Sequence, residues 1–243
     1  MTSFDDPSFI TGPPQEALLE RIAKLRLTIP ASVRLVAVTK QVPAPLMRQA
    51  YAAGIRDFGE SRVQEAVDKY SELQDLPGIT WHLIGHLQSN KARTALQYFD
   101  WIHSVDSLKL AQRLDLLAQE LSCQPQVCLQ VKIAPDPDKY GWTVADLTAS
   151  LPKLSQCHNL NIQGLMTILP LGMNQTEALT IFAQARQLAD TIRQQGWPNM
   201  PMQELSMGMS EDYLLAIKAG ATMVRLGQIL FGGLTSQRWR DRQ

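Results

Sequence analysis

The segment 35–45 reads LVAVTKQVPAP, and its first four residues are apolar without a break. A strand that is covered on both faces shows such a continuous run, so the segment predicts a buried strand of a parallel sheet. Lys40 stands at the end of this strand. A lysine at that position is either an ordinary surface cation or an amine that can attack an aldehyde.

Seven further segments have strand character, and each of the eight is followed by a helix or a helical candidate. These seven segments lie at 55–60, 79–86, 100–105, 125–133, 161–167, 203–208 and 221–227. Alternating strands and helices predict a parallel sheet, and eight such units in about 250 residues predict a closed (β/α)8 or TIM barrel of the α/β class. The turn KQVPAP after the first strand has no glycine, which argues against an open sheet with a Gly-rich dinucleotide turn.

The chain has 243 residues, of which 45% are hydrophobic, so it can bury one core of barrel size. No Pro-, Gly- or Ser-rich linker divides it. We therefore predict one barrel domain over residues 14–243, preceded by a flexible N-terminal extension over residues 1–13.

The charges balance, with 23 Lys and Arg against 23 Asp and Glu. This gives no electrostatic reason to expect nucleic acid or an anionic membrane as a partner. Three cysteines without zinc-like spacing favour a reducing compartment, and no metal site is predicted. No secretory signal and no apolar run of about 18 residues is present, so we expect a cytoplasmic protein.

The segment 206–210 reads SMGMS and joins the seventh predicted strand to the next helix. In a (β/α)8 barrel, the loops after strands seven and eight often hold a phosphate. Gly208 permits a tight turn, the helix start offers free N–H groups, and Ser206 and Ser210 add hydroxyl donors. The alternative is that these residues only form a turn and a helix cap.

The segment 224–228 reads VRLGQ and ends the eighth predicted strand, which neighbours the first strand in a closed barrel. Gly227 allows a close backbone approach, and Arg225 supplies a fixed cation. Lys40 would face the same mouth. A ligand with a phosphate and an aldehyde fits this combination, and pyridoxal 5′-phosphate (PLP) is the obvious candidate.

These motifs carry a family resemblance that runs from about residue 14 to residue 233. They are RLVAVTK (34–40), FGESRVQEA (58–66), WHLIGHLQSNK (81–91), HSVDS (103–107), GLMT (164–167), LSMGMSEDY (205–213) and VRLGQILFG (224–232). The chain resembles the pyridoxal phosphate homeostasis proteins. The resemblance implies a fold-type-III PLP barrel, similar to the barrel domain of alanine racemase, with Lys40 as the internal aldimine lysine.

The resemblance also implies that Ser206, Arg225 and Gly227 surround the phosphate and the pyridine ring, and it leaves open which of the two Arg225 meets. Two positions depart from many relatives, since Ser61 replaces an asparagine and Gln228 replaces a threonine. From the residues alone, Met166 is expected to wall the cofactor and His82 to face the barrel mouth. The predicted cofactor-binding set is Lys40, Ser61, His82, Met166, Ser206, Met207, Gly208, Ser210, Arg225, Gly227 and Gln228.

Three functions fit these features. The first, implied by the resemblance, is a PLP carrier or regulator in vitamin B6 and amino-acid homeostasis, without robust catalysis. The second is a PLP-dependent amino-acid racemase, in which two-base racemisation needs a second proton donor. In the racemases that this barrel resembles, an additional domain supplies that base. The chain ends about ten residues after its eighth unit, which argues against such a domain. The third is a cofactor-free Schiff-base aldolase.

The partners expected for the first function are PLP itself and, beyond it, free amino acids or PLP-dependent apo-enzymes that accept the cofactor. The absence of an obvious large apolar stripe favours a monomer.

Overall fold

A computed structural model describes residues 14–232. The extension predicted for residues 1–13 lies outside this range. The strands are β1 (Arg34–Val38), β2 (Asp57–Glu60), β3 (Thr80–Leu83), β4 (Trp101–Val105), β5 (Gln126–Lys132), β6 (Trp142–Thr143), β7 (Asn161–Met166), β8 (Glu204–Ser206) and β9 (Met223–Leu226). The helices are α1 (Pro14–Thr28), α2 (Ala44–Ala52), α3 (Val63–Leu73), the 3-10 turn Ser89–Lys91, α4 (Ala92–Tyr98), α5 (Leu108–Leu121), α6 (Val144–Leu154), α7 (Gln175–Gln194), α8 (Tyr213–Lys218) and α9 (Gln228–Phe231).

Eight parallel strands form a closed barrel, as the sequence predicts. The strands neighbour one another in the order β4-β3-β2-β1-β9-β8-β7-β5, and a pairing between β4 and β5 closes the ring. Among the described strands, the two-residue strand β6 pairs only with the carboxyl end of β5. Each barrel strand is followed by a helix, so the architecture is a (β/α)8 barrel.

Strand alternation divides the buried residues into two layers. The larger core lies between the sheet and the surrounding helices, and it contains residues such as Ala37, Ile102 and Leu205. A small separate cluster inside the barrel contains Trp101, Cys128, Met166 and Met223. Successive side chains of a strand point to opposite faces, so alternate residues of each strand fill the barrel interior.

The pairing of β1 with β9 brings together the two strand ends that the sequence singles out. Ala37 lies opposite Leu226 in this ladder. Directly beyond it, a Cβ placed on Gly227 would lie 3.3 Å from the Cβ of Val38. The loop after β9 and the turn that carries Lys40 are therefore neighbours at the carboxyl end of the barrel.

The sequence suggests two helix caps, Ser61, which with Gln64 has the spacing of a capping box, and Ser210, which precedes a predicted helix, but neither is formed. Helix α3 begins at Val63 with Arg62 as its N-cap, and α8 begins at Tyr213 with Asp212 as its N-cap, so neither Ser61 nor Ser210 caps a helix. Within residues 14–232, no helix has the length and apolar character needed to cross a membrane.

Candidate functional site

Lys40 lies in a tight turn at the mouth of the barrel. The Val42 N–H donates to the carbonyl of Thr39 over 2.9 Å, which closes the turn around Lys40 and Gln41. Gln41 adopts a left-handed conformation with φ of 60°, which is uncommon for a residue with a side chain. Lys40 is exposed, and its amine forms no hydrogen bond or ion pair with residues 14–232.

A buried polar cluster holds this turn from behind. The Thr39 hydroxyl donates to Oε1 of Glu60 over 2.6 Å, and the Lys69 amine donates to the same oxygen over 2.7 Å. Lys69 also donates to the carbonyl of Thr39 over 2.6 Å. Because Thr39 and Glu60 are fully buried, this cluster fixes the backbone immediately before Lys40.

Burial raises the pKa of Glu60, and the nearby Lys69 amine partly opposes this effect. The second carboxyl oxygen of Glu60, Oε2, is buried and has no hydrogen-bond partner in the described chain. The cluster therefore carries one unpaired acceptor directly beneath the mouth.

Two other lysines near the mouth, Lys139 and Lys132, have partners, unlike Lys40. The amine of Lys139 donates to Asp136 over 2.9 Å and to the carbonyl of Leu169 over 2.7 Å. The amine of Lys132 donates to the carbonyl of Asp136 over 3.2 Å. Carbonyl chemistry requires a free amine, and Lys40 meets this requirement.

The loop after β8 depends on glycine at position 208. Gly208 has φ of +94°, and a Cβ there would lie 2.6 Å from the Cβ of Ala216 and 3.0 Å from the Cα of Tyr213. The Met209 N–H donates to the Asp212 carboxylate over 2.6 Å. The loop is therefore tight and closely packed on α8.

Ser210 links the two mouth loops. Its hydroxyl oxygen accepts the backbone N–H of Ile229 over 3.3 Å. The backbone N–H groups of Ser210 and Gly227 bond to no residue that the structure describes, and both residues are partly exposed. Two free N–H groups on adjacent loops are suitable donors for an anion.

Arg225 is a cation buried at the base of these loops. Its guanidinium donates to the Ser206 hydroxyl oxygen over 2.7 Å and to the carbonyl of Thr167 over 2.9 Å. No carboxylate of residues 14–232 forms an ion pair with it, and burial lowers its pKa to about 10, although the more distant Asp212 carboxylate opposes this. A buried cation that is bonded only to neutral oxygens is a favourable neighbour for an anionic or electron-rich ligand.

A row of polar side chains continues from Arg225 into the barrel. The Ser206 hydroxyl lies 2.7 Å from Nδ1 of His103, and Nε2 of His103 lies 2.9 Å from Nδ1 of His82. Nε2 of His82 lies 3.0 Å from the carboxylate of Asp57, the first residue of β2. The row therefore runs from the carboxyl end of the barrel to its amino end.

The structure does not bring three of the predicted residues to the mouth. His82 is fully buried, and both of its ring nitrogens have partners. Met207 follows Ser206 on the strand, so its side chain points outward and packs in the outer core. Met166 lies in the interior cluster of the barrel, beneath the mouth.

Ser61 and Gln228 do lie in loops at the carboxyl end of the barrel. Ser61 is partly exposed, and its hydroxyl bonds to no other described residue. Its backbone is crowded by the next loop, because a Cβ on Gly85 would lie 2.1 Å from the Ser61 carbonyl oxygen. Gln228 is exposed as the first residue of α9.

Four residues that matter for the site do not emerge from the sequence analysis: Thr39, Asp57, Glu60 and His103. A usable signal was present, because polar residues in the middle of buried strands have to find partners inside the barrel. His103 could have been found in this way as a partner of His82, since both lie at inward positions of adjacent strands.

The mouth thus combines a free amine, two loops with free N–H groups and a buried unpaired cation. The sequence family described as alanine racemase, N-terminal domain, matches residues 15–235. Among solved structures, an alanine racemase from Clostridium difficile has a TM-score of 0.72 at 14% identity, covering 91% of this chain and 59% of that chain. This likeness shows the fold alone. The fold and the match define a barrel of the alanine racemase N-terminal domain class.

More similar proteins narrow this class. A pyridoxal phosphate homeostasis protein from Synechocystis sp. is 53% identical over 205 residues, which are 84% of this chain and 93% of the relative. One from Pseudomonas aeruginosa is 44% identical, over 84% of this chain and 85% of the relative. The solved structure of PipY from Synechococcus elongatus with PLP bound has a TM-score of 0.85 at 56% identity, covering 88% of this chain and 100% of that chain. The chain belongs to the pyridoxal phosphate homeostasis protein family.

Proposed function

We propose that this protein binds pyridoxal 5′-phosphate through Lys40 and serves in vitamin B6 and amino-acid homeostasis as a carrier or regulator. The observation that carries the proposal is the free amine of Lys40, which lies beside the anion-binding loops of a barrel. The PLP-bound structure of a relative with 56% identity supports the same ligand.

The residues present fit the groups of PLP. The aldehyde requires a nucleophilic amine, which Lys40 supplies. The phosphate requires hydrogen-bond donors, which the backbone N–H groups of Ser210 and Gly227 and the Ser210 hydroxyl supply. Arg225, which is buried at the base of these loops, adds a positive charge that favours an anionic ligand. When bound, PLP would supply an electrophilic carbon that exchanges between amines.

The exposure of Lys40 favours a carrier over an enzyme. Electrostatic catalysis depends on a closed site from which water is excluded. Here the amine lies in solvent, so an incoming amino acid or acceptor enzyme can reach the covalent link. The names of the relatives support regulation rather than turnover. We therefore propose that the protein holds and releases PLP without robust catalysis.

Borohydride reduction tests the proposal directly. The protein is incubated with PLP, reduced, digested and analysed by mass spectrometry. We expect a pyridoxyl adduct on the peptide that contains Lys40, and none on Lys40→Ala. Lys139→Ala is the matched control, since it removes another lysine near the mouth and should leave the adduct intact.

Chiral chromatography of L-amino acids incubated with the holoprotein separates carrier from racemase. We expect no more of the D-enantiomer than free PLP alone produces under the same conditions. An adduct on a different lysine, or rapid racemisation, would contradict the proposed role.

A further inference from the structure

The polar row inside the barrel has a defined direction of hydrogen bonding. At one end, the Arg225 guanidinium has only donors, and it bonds to the Ser206 hydroxyl oxygen over 2.7 Å. At the other end, the Asp57 carboxylate, which also pairs with Arg34 at 3.4 Å, has only acceptors. Each group between these two ends must therefore accept a hydrogen bond on its Arg225 side and donate one on its Asp57 side.

The acceptor end sets the tautomer of each ring. Nε2 of His82 must carry the hydrogen that Asp57 accepts, so Nδ1 of a neutral His82 is an acceptor. Nε2 of His103 must then donate to that nitrogen, which leaves Nδ1 of His103 as an acceptor. The Ser206 hydroxyl donates to it, and the Ser206 oxygen therefore accepts from Arg225.

Burial favours the neutral form of both imidazoles, although the Asp57 carboxylate opposes this effect at His82. His82 and His103 are fully buried, and burial lowers the pKa of each. His82 also stacks on Trp101, with ring centroids 5.9 Å apart and an interplanar angle of 15°.

We propose that His82 and His103 are positioning residues that connect Asp57, at the amino end of the barrel, to Arg225, at the ligand mouth, through a one-way hydrogen-bond relay. The relay orients the Ser206 hydroxyl so that its oxygen faces Arg225. It also connects the Arg225 cation at the mouth to the Asp57 carboxylate. Its role in holding the ligand rests on the proposed function, whereas the relay itself does not.

Nuclear magnetic resonance of the protein labelled with 15N-histidine, without PLP, reads the relay directly. Long-range ¹H–¹⁵N correlations distinguish an Nε2–H imidazole from an Nδ1–H imidazole and from an imidazolium. We expect both His82 and His103 to be neutral Nε2–H tautomers at pH 7. An Nδ1–H signal on His103, or an imidazolium at His82, would reverse the direction and overturn the proposal.

Asp57→Asn tests the link to the mouth, because the amide has nearly the same size but can donate as well as accept. The fixed tautomers should then be lost, so that Nδ1–H signals appear. The dissociation constant of PLP should rise about fivefold, which is the order of one well-placed hydrogen bond. Asp75→Asn is the matched control, since Asp75 pairs with Arg48 on the surface and should leave both readouts unchanged.

The outcomes are distinguishable from failure of the proposed function. If Lys40 gives no adduct but the tautomers are as expected, the relay stands and the ligand is wrong. If PLP binds through Lys40 while Asp57→Asn changes neither the tautomers nor the affinity, the relay is wrong.

Discussion

Thr39 donates its hydroxyl hydrogen to Glu60 over 2.6 Å, one residue before the free amine of Lys40. Lys69 bonds to the same carboxyl oxygen and to the Thr39 carbonyl, so three contacts converge on this point. The side chain of Lys40 is thus exposed, whereas the backbone that carries it is fixed from below. This arrangement lets Lys40 move in solvent while its attachment point stays in place.

Replacing Glu60 with glutamine should destabilise the fold. The change leaves the Lys69 cation, whose side chain is only 11% exposed, without its close carboxylate. Removing one partner of a buried pair costs about 3 kcal/mol, and we expect a loss of this size in urea unfolding at pH 7.

Glu65→Gln is the matched control for this pair. Glu65 lies 4.0 Å from the same amine and is 31% exposed, so its loss should cost less than about 1 kcal/mol. Equal losses in the two variants would show that the contact between Glu60 and Lys69 does not fix the turn.

Gly208→Ala should lower both stability and PLP affinity. The added Cβ meets Ala216 at 2.6 Å, in a conformation with φ of +94°. We expect a loss of about 2 to 4 kcal/mol in unfolding free energy, because strain and overlap add together. Gly172→Ala is the control, because Gly172 has a similar φ of +79° but nothing lies within 4 Å of the added Cβ. The difference between the two variants therefore measures the effect of the overlap alone. Similar losses of unfolding free energy in the two variants would show that the overlap with Ala216 is not the cause.

Ser210→Ala should weaken PLP binding with little effect on folding. The change removes a hydroxyl that joins the two mouth loops through the Ile229 N–H. We expect the dissociation constant, followed by absorbance, to rise about tenfold, since a hydrogen bond to a charged group is worth about 1.5 kcal/mol or more. Ser71→Ala, at an exposed hydroxyl on α3, should bind as the unmodified protein does. An unchanged PLP affinity in Ser210→Ala would show that the Ser210 hydroxyl does not contact the ligand.

The buried histidines should make the protein less stable in mild acid. Burial lowers the pKa of His82 and His103 below the ordinary value of 6.5. Their stabilising contribution is therefore complete above about pH 6.5 and is lost as the pH falls through the folded-state values. Each histidine can add a slope of up to about 1.4 kcal/mol per pH unit to the unfolding free energy.

Urea unfolding between pH 7 and pH 5, at constant ionic strength, measures this slope. His103→Gln removes one titrating group, so its stability should fall less steeply with pH than that of the unmodified protein. Identical slopes in the two proteins would exclude His103 as a source of the pH dependence.

The sequence predicted the ring of strands because its signal is local. Eight segments such as RLVAV in β1 and WIHSV in β4 appear where the sequence places them, within a few residues. Helix starts were less predictable. Ser61 and Ser210 have the composition of caps, but α3 and α8 begin two and three residues later, because the loops follow the crowded mouth rather than local capping preference.

The sequence by itself determined the barrel, the position of Lys40 at a strand end and the two glycine-containing loops, since apolar runs and turn residues act over short distances. Only the tertiary structure decided which polar residues meet. Met207 and His82 both belong to the predicted site, yet the alternation of side chains places Met207 in the outer core and His82 inside the barrel, in the relay. Contacts such as Ser206 with His103 join residues 103 positions apart, and only closure of the ring brings them within a hydrogen bond of each other.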